Sequence, residues 1–198
     1  MVVLGITGGI GSGKSFISSL LQSYLNVPVY DCDTEAKRLM NEDKSIQQQL
    51  KKLVGTRVYK DGKLQKDVLA DYLFANQQNA QSINAIVHPA VREDFRNWAK
   101  RQNTDVVAIE SAILFESGFD TLTDKVLFVD APLEVRIQRV IKRDGCTRQQ
   151  VKARIRMQKC DKYRQKASLI LENNDYPKEL LLAALQVVLK DINLIRYN

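Results

Sequence analysis

Long apolar runs are missing from this 198-residue sequence: none approaches the ~20 residues needed to cross a bilayer, which excludes a helical membrane span. Cysteine is scarce, and Cys32, Cys146 and Cys160 are odd in number with neither disulfide nor metal-ligand spacing. A disulfide framework is therefore not expected, and a reduced, cytoplasmic compartment is the simplest reading. No basic segment precedes the apolar start, so the N-terminus does not read as a signal peptide. The motifs Asn-Lys-x-Asp and Asp-x-x-Gly, which a GTP-reading switch would carry, occur nowhere. Internal repeats and low-complexity tracts are also absent.

What is present is enough to fill a sizeable core, with 44% of residues hydrophobic. The net charge of +7 is unevenly placed. Between Arg136 and Lys166 stand twelve basic residues and only two acidic ones, Asp144 and Asp161, a local balance of +10 that leaves the rest of the chain slightly acidic. A local anion clamp explains this better than a nucleic-acid surface. Binding single strands would call for interleaved aromatics, and only Tyr163 lies within the segment.

Five of the nine glycines fall between Gly5 and Gly13, where Gly8-Gly9-Ile10-Gly11-Ser12-Gly13-Lys14-Ser15 spells the P-loop pattern Gly-x4-Gly-Lys-Ser/Thr. Residues without Cβ let the backbone curl and turn successive N–H groups toward one anion, while the following helix adds its positive end. The context fits. Val2-Val3-Leu4-Gly5-Ile6 reads as a strand, and Phe16, Ile17, Leu20, Leu21 and Tyr24 recur at helical spacing beyond the loop. In such a loop Lys14 reaches the β- and γ-phosphates and Ser15 offers its hydroxyl to Mg²⁺.

Val27-Pro28-Val29-Tyr30-Asp31 predicts a second short strand, with Pro28 favouring a strand start or a sheet edge. From Thr34 to about Gln102 the chain is polar and helix-prone, with a glycine turn at Asp61-Gly62 and a break at His88-Pro89, and reads as a helical insertion. Residues 106–109 and 126–129 are continuous apolar runs of the kind that buried parallel strands produce. Pro132 opens a helix that Gly145 ends, and Thr147 with Gln150 forms a capping box for a second, very basic helix. Residues 168–171 predict a last strand, and Pro177 starts an amphipathic helix through Leu180, Leu181, Ala184, Leu185, Val188 and Leu189. This alternation specifies an α/β fold with a doubly wound five-stranded parallel sheet, an inserted helical substrate domain and a helical lid.

Asp31 and Asp33 close the second strand, and their spacing in an extended chain places both on one face, toward the crevice beyond the strand ends. A carboxylate there can take a proton from an attacking hydroxyl or hold a Mg²⁺ water; alternatively, Asp33 caps a helix beginning at Thr34. Arg136, Arg139 and Arg143 share one helix face and suit the charge of a transferring phosphoryl group, unless the face is simply solvated. Glu110 ends a buried strand, either as an acid for Mg²⁺ or its water or as an ordinary strand-end carboxylate. His88 reads as a substrate contact or a packing residue, Trp98 as core, and Cys32 carries no redox role.

In this order the pieces resemble the dephospho-CoA kinase family nearly end to end. The resemblance rests on Thr7 to Ser15 as its extended P-loop, Asp31-Cys32-Asp33, His88-Pro89, Leu114-Phe115-Glu116, Arg139 with Arg143-Asp144, and Asn173-Asn174. It implies ATP-dependent phosphorylation of the ribose 3′-hydroxyl of dephospho-CoA in the cytoplasm, with Mg²⁺ as cofactor. It also implies a P-loop core of 1–33, 104–135 and 168–198, a helical acceptor domain of 34–103 and a lid of 136–167. By match, Asp33 is the base, while Lys14 and Arg139 stabilise the transferring group. Gly11, Ser12, Gly13, Lys14, Ser15, Phe16, Arg139, Arg143, Asn173 and Asn174 bind ATP. Thr7, Asp31, Asp33, His88, Leu114 and Glu116 face the acceptor. Ser15 ligates Mg²⁺, with Asp33 and Glu110 acting through water. The expected partners are ATP and dephospho-CoA, with no nucleic acid or membrane, in a monomer or weak homo-oligomer.

Three positions depart from the family pattern. Phe16 replaces a Thr, Ser111-Ala112 stands where an apolar residue and a proline are common, and Asp175 replaces a frequent Gly. The competing enzyme reading is a nucleoside monophosphate kinase, whose phosphate acceptor needs no base and favours clustered arginines; Arg38, Arg57, Arg92 and Arg96 form no close cluster in sequence.

Overall fold

The computed structural model describes residues 1–158 and 160–194. Lys159, counted above in the basic segment, lies outside the described residues. The chain packs as two compact units, one of Met1–Tyr30 with the described chain from Gln102 onward and one of Asp31–Arg101.

The first unit opens with β1 (Val2–Thr7), the glycine loop, α1 (Lys14–Leu25) and β2 (Val29–Asp31). The second unit then follows as α2 (Cys32–Glu42), α3 (Lys44–Val54), β3 (Tyr59–Lys60), β4 (Lys63–Leu64), α4 (Lys66–Ala75) and α5 (Gln77–Lys100). The first unit resumes with β5 (Val106–Glu110), β6 (Lys125–Asp130), α6 (Leu133–Asp144) and α7 (Arg148–Gln158). It closes with β7 (Leu169–Glu172) and α8 (Lys178–Leu194).

The sheet runs in the order β2-β5-β1-β6-β7, and β1 pairs in parallel with both β5 and β6. This is the doubly wound five-stranded sheet that the apolar runs predict. Leu4, Ile6, Val107, Ile109, Leu127 and Val129 are fully excluded from water. From α1 come Ile17, Leu20 and Leu21, and from α8 Leu181, Leu185 and Ile192, all joined to strand residues in one core. Leu180, expected on the apolar face of α8, is instead 54% exposed, because the buried stripe is centred one residue further on. Helices α6 and α7 have their own small core of Ile137, Val140 and Val151, into which Ile10 of the glycine loop packs. Thr147 and Gln150 exchange hydrogen bonds as a capping box, with Thr147 N–H to Gln150 Oε1 at 2.8 Å and Gln150 N–H to Thr147 Oγ1 at 3.3 Å.

The second unit departs from the sequence reading in two respects. It is not purely helical: Asp61 (φ 50°) and Gly62 (φ 75°) form the two-residue turn of a β3–β4 hairpin, since this Asp-Gly pair takes the left-handed conformations such a turn requires. Nor does the chain break at Pro89, which lies inside the continuous helix α5. A proline there costs about 3 kcal/mol, but Ile83, Val87, Val91, Phe95 and Ala99 form one buried stripe across it. Burying such side chains is worth about 1.5–3 kcal/mol for each large one, so packing wins.

Candidate active site

In the first unit the loop from Gly8 to Gly13 joins β1 to α1, and Gly8, Gly11 and Gly13 are dictated by conformation and space together. Gly8 has φ 148°, and a Cβ there would sit 2.2 Å from the Val129 carbonyl oxygen. Gly13 caps α1 with φ 95°, and a Cβ would meet Asn173 Nδ2 at 2.2 Å. Lys14 folds back over the loop, its Nζ donating to the carbonyls of Gly8 at 3.0 Å and Gly9 at 3.3 Å. Ser12 is fully buried, with no hydrogen-bond partner for its hydroxyl among the described residues. Phe16 stands exposed in the first turn of α1, leaving only its backbone to serve a nucleotide.

Behind the loop, Ser15 Oγ donates to Glu110 Oε1 at 3.1 Å and Ser18 Oγ to Glu110 Oε2 at 2.5 Å. The i, i+3 spacing of the two serines on α1 presents both hydroxyls to the carboxylate at the end of β5. Oxygen donors alone at this point, a hydroxyl beside a buried carboxylate, fit Mg²⁺, a hard cation that keeps several waters and substrate oxygens. Ser18 was not singled out by the sequence, although its spacing from Ser15 was visible. Replacing Ser18 by Ala removes a bond to a buried charge, worth about 1.5–3 kcal/mol, so Tm should fall by about 3–12 °C in calorimetry. An unchanged Tm would show that Glu110 does not depend on Ser18.

The three arginines of α6 do not act as one face. Arg139 Nη1 donates to the carbonyls of Gly11 at 3.3 Å and Ser12 at 3.1 Å. Its Nη2 reaches Asn173 O at 2.9 Å and Asp175 Oδ1 at 2.7 Å. Arg143 instead pairs at 2.7 Å with Asp144, which also accepts from Arg154 at 2.9 Å, and its side chain is 64% exposed. Arg136, at the start of this helical face, is buried against the loop. Asn173 is buried too, its Nδ2 donating to Ser12 O at 2.9 Å, so it braces the loop rather than facing solvent. Asn174 lines a cleft of about 260 Å³ with Asp130, Ala131, Pro132 and Glu172, beyond the ends of β6 and β7. That position at the carboxyl ends of parallel strands is where open α/β sheets take their ligands.

Among the residues expected to face the acceptor, Leu114 belongs to the core. It is fully buried, and a Cβ on Gly5 would come within 2.9 Å of its Cδ2. Thr7 is buried at the end of β1, while Glu116 is exposed and its neighbour Phe115 stacks on Tyr163 with centroids 5.1 Å apart. In the second unit Asp31, not Asp33, caps the helix: its Oδ1 accepts from the N–H groups of Asp33 at 2.9 Å and Thr34 at 3.2 Å. Helix α2 begins at Cys32, so Asp33 lies in its first turn and the two carboxylates do not share an extended-strand face. The Asp33 side chain is thereby left outside the cap. His88 is half-buried in α5, and desolvation, with Arg92 adding to it, holds its imidazole below the ordinary histidine range. Arg38 is tied to Glu35, Glu42 and Asp94 and raised further by them, so its charge is already neutralised within the unit.

The sequence profile of the dephospho-CoA kinases matches residues 2–179 of this chain. The chain belongs to the dephospho-CoA kinase family. A dephospho-CoA kinase of Bacteroides fragilis is 42% identical over 188 residues, covering 94% of this chain and 91% of that protein. One of Porphyromonas gingivalis is 38% identical over 198 residues, covering 100% and 98%. The crystal structure of TT1252 from Thermus thermophilus superimposes with a TM-score of 0.83 at 35% identity, over 96% of this chain and 97% of that one. Two departures from the family pattern now have local explanations. Asp175 takes φ 52°, the conformation that a Gly adopts freely, and gains Arg139 as a partner. The hydroxyl of the buried Ser111 accepts from Ile113 N–H at 3.2 Å, securing the turn after β5 without a proline.

Proposed function

We propose that this chain transfers the γ-phosphoryl group of ATP to the ribose 3′-hydroxyl of dephospho-CoA, giving coenzyme A and ADP, the last step of coenzyme A biosynthesis. The observation that carries this reading is the family match over residues 2–179 joined to a formed glycine loop with Lys14 folded over it. In this reading the loop N–H groups and Lys14 hold the β- and γ-phosphates. Asp33 accepts the proton of the 3′-hydroxyl as its oxygen attacks the γ-phosphorus; the bond from that phosphorus to the bridging oxygen breaks, and ADP leaves with the electron pair. Asp33 then returns the proton to solvent.

Ser15 and Glu110 would hold Mg²⁺, which when bound neutralises charge on the β- and γ-oxygens. Arg139 serves the transferring group by releasing the exposed Asp175, while its bonds to Gly11 and Ser12 keep the loop in place. Arg143 contributes to the nucleotide site by leaving Asp144, and Asn174 lines the base end. Thr7, Asp31, His88 and Glu116 are assigned to the acceptor side, and the three free thiols suit the reducing cytoplasm. The neutralisation of Arg38 by three carboxylates favours a hydroxyl acceptor over a phosphate one.

Incubation with Mg²⁺, ATP and dephospho-CoA should yield coenzyme A and ADP, whereas AMP and CMP should be poor acceptors. Turnover with the monophosphates alone would overturn the assignment.

A further inference from the structure

Residue 136 is in contact with the whole apex of the glycine loop. Arg136 is 4% exposed, and its Nε donates to the Ile10 carbonyl at 3.0 Å. A Cβ on Gly9 would lie 2.1 Å from Arg136 Nη2, and a Cβ on Gly11 would lie 2.4 Å from the Arg136 carbonyl oxygen. Gly9, unlike Gly8 and Gly13, does not have a positive φ, so the guanidinium rather than the backbone conformation requires glycine there. The peptide on the other side of Ile10 is also held: Ile10 N–H donates to Gln158 Oε1 at 2.7 Å, and Gln158 Nε2 donates to the Ala112 carbonyl at 3.3 Å. The Ile10 side chain meanwhile packs into the core of α6 and α7.

We propose that Arg136 and Gln158 are positioning residues that fix the two peptides flanking Ile10, one each, and so preform the phosphate-binding loop before nucleotide arrives. A loop already curled does not have to be ordered by its ligand, and affinity rises by the entropy saved. Arg139 and Asn173 hold Gly11 and Ser12 from the opposite end and Lys14 holds the carbonyls of Gly8 and Gly9, while the bonds to Ile10 come from Arg136 and Gln158. Gln158 also ties the loop to Ala112, so the end of α7, the glycine loop and the turn after β5 are linked through one amide group. Neither residue touches the reacting atoms in this role; they act through the loop.

The inference rests on the donor-site reading only for the identity of the nucleotide, and the test separates the two. Arg136→Met keeps the unbranched apolar stem and removes the guanidinium; it should weaken ADP binding in calorimetry by about tenfold, the effect of losing its charge-assisted hydrogen bond to Ile10. Binding of dephospho-CoA and its KM should stay within twofold. Gly9→Ala should weaken ADP binding strongly in the wild type and much less on top of Arg136→Met, because the clashing guanidinium is gone. Gln158→Met, at the end of a helix, should also weaken ADP binding and should speed hydrogen exchange of the Ile10 amide. If Arg136→Met does not fold, Gln158→Met decides alone. A lowered Tm with unchanged ADP affinity, equal loss of both ligands, or additive effects of Gly9→Ala and Arg136→Met would overturn the proposal. Wild type that bound no nucleotide would strike the donor-site reading instead, and Ile10 amide exchange would still decide whether Gln158 holds the loop.

Discussion

Replacing Asp33 by Asn is expected to lower kcat by about 10²–10⁴, the usual worth of a positioned general base, while leaving ATP binding intact. The change is nearly isosteric, and the cap of α2 is made by another residue. Asp31 supplies the cap of α2 through its bonds to the N–H groups of Asp33 and Thr34, and the hydroxyl of Thr34 adds a third at 2.7 Å. Asp33 adds a first-turn charge, worth about 0.3–1 kcal/mol against the helix dipole, and Asn keeps the shape of the side chain. Asp31→Ala therefore makes the opposite prediction, losing about 1 kcal/mol of stability with a smaller effect on turnover. Equal loss of turnover in the two variants would remove Asp33 from the base role.

Wherever a local rule decided the conformation, the residues could be read in advance. Pro132 precedes α6, Gly145 ends it at φ 65°, and the capping box at Thr147 starts α7. The buried strands announced themselves because a strand covered on both faces has no polar side to show. The misses share a different cause. Pro89 stays helical because a stripe of apolar side chains on either side of it is buried, which no dipeptide rule weighs. The cap of α2 passed to Asp31 because the helix begins at Cys32, two residues before the boundary that Thr34 suggested. Leu114 reads as part of a substrate segment, yet Gly5 leaves a hollow in β1 that it fills. Gly9 is the clearest case: its reason is Arg136, a residue more than a hundred positions away, and the periodicity of α6 gave no sign of which arginine would turn inward. The loop motif was legible in sequence, whereas the residues holding it had to be found in space.

Lys14→Ala should abolish most of the transfer while costing only about 1–3 kcal/mol of stability, and the two parts of that expectation have separate origins. In this structure the ammonium group donates to the carbonyls of Gly8 at 3.0 Å and Gly9 at 3.3 Å, so it lies against the loop. Those carbonyls lie in a part-buried region, and the net worth of such bonds is about 0.5–1.5 kcal/mol each, so losing the two should lower Tm by about 2–12 °C. Transfer is different because charge on the γ-phosphoryl oxygens grows toward the transition state and the alanine leaves it without its nearest cation. Removing one such preorganised donor costs about 10²–10³ in kcat. Lys14→Arg is not expected to rescue the enzyme, because the planar fork is wider than the ammonium that the loop encloses. In the proposed role the lysine serves the β- and γ-phosphates, and ATP affinity should then fall more than ADP affinity when both are measured by calorimetry. A variant whose kcat stayed within tenfold of wild type, or whose ATP and ADP affinities fell equally, would show that Lys14 shapes the loop rather than stabilising the group in transfer.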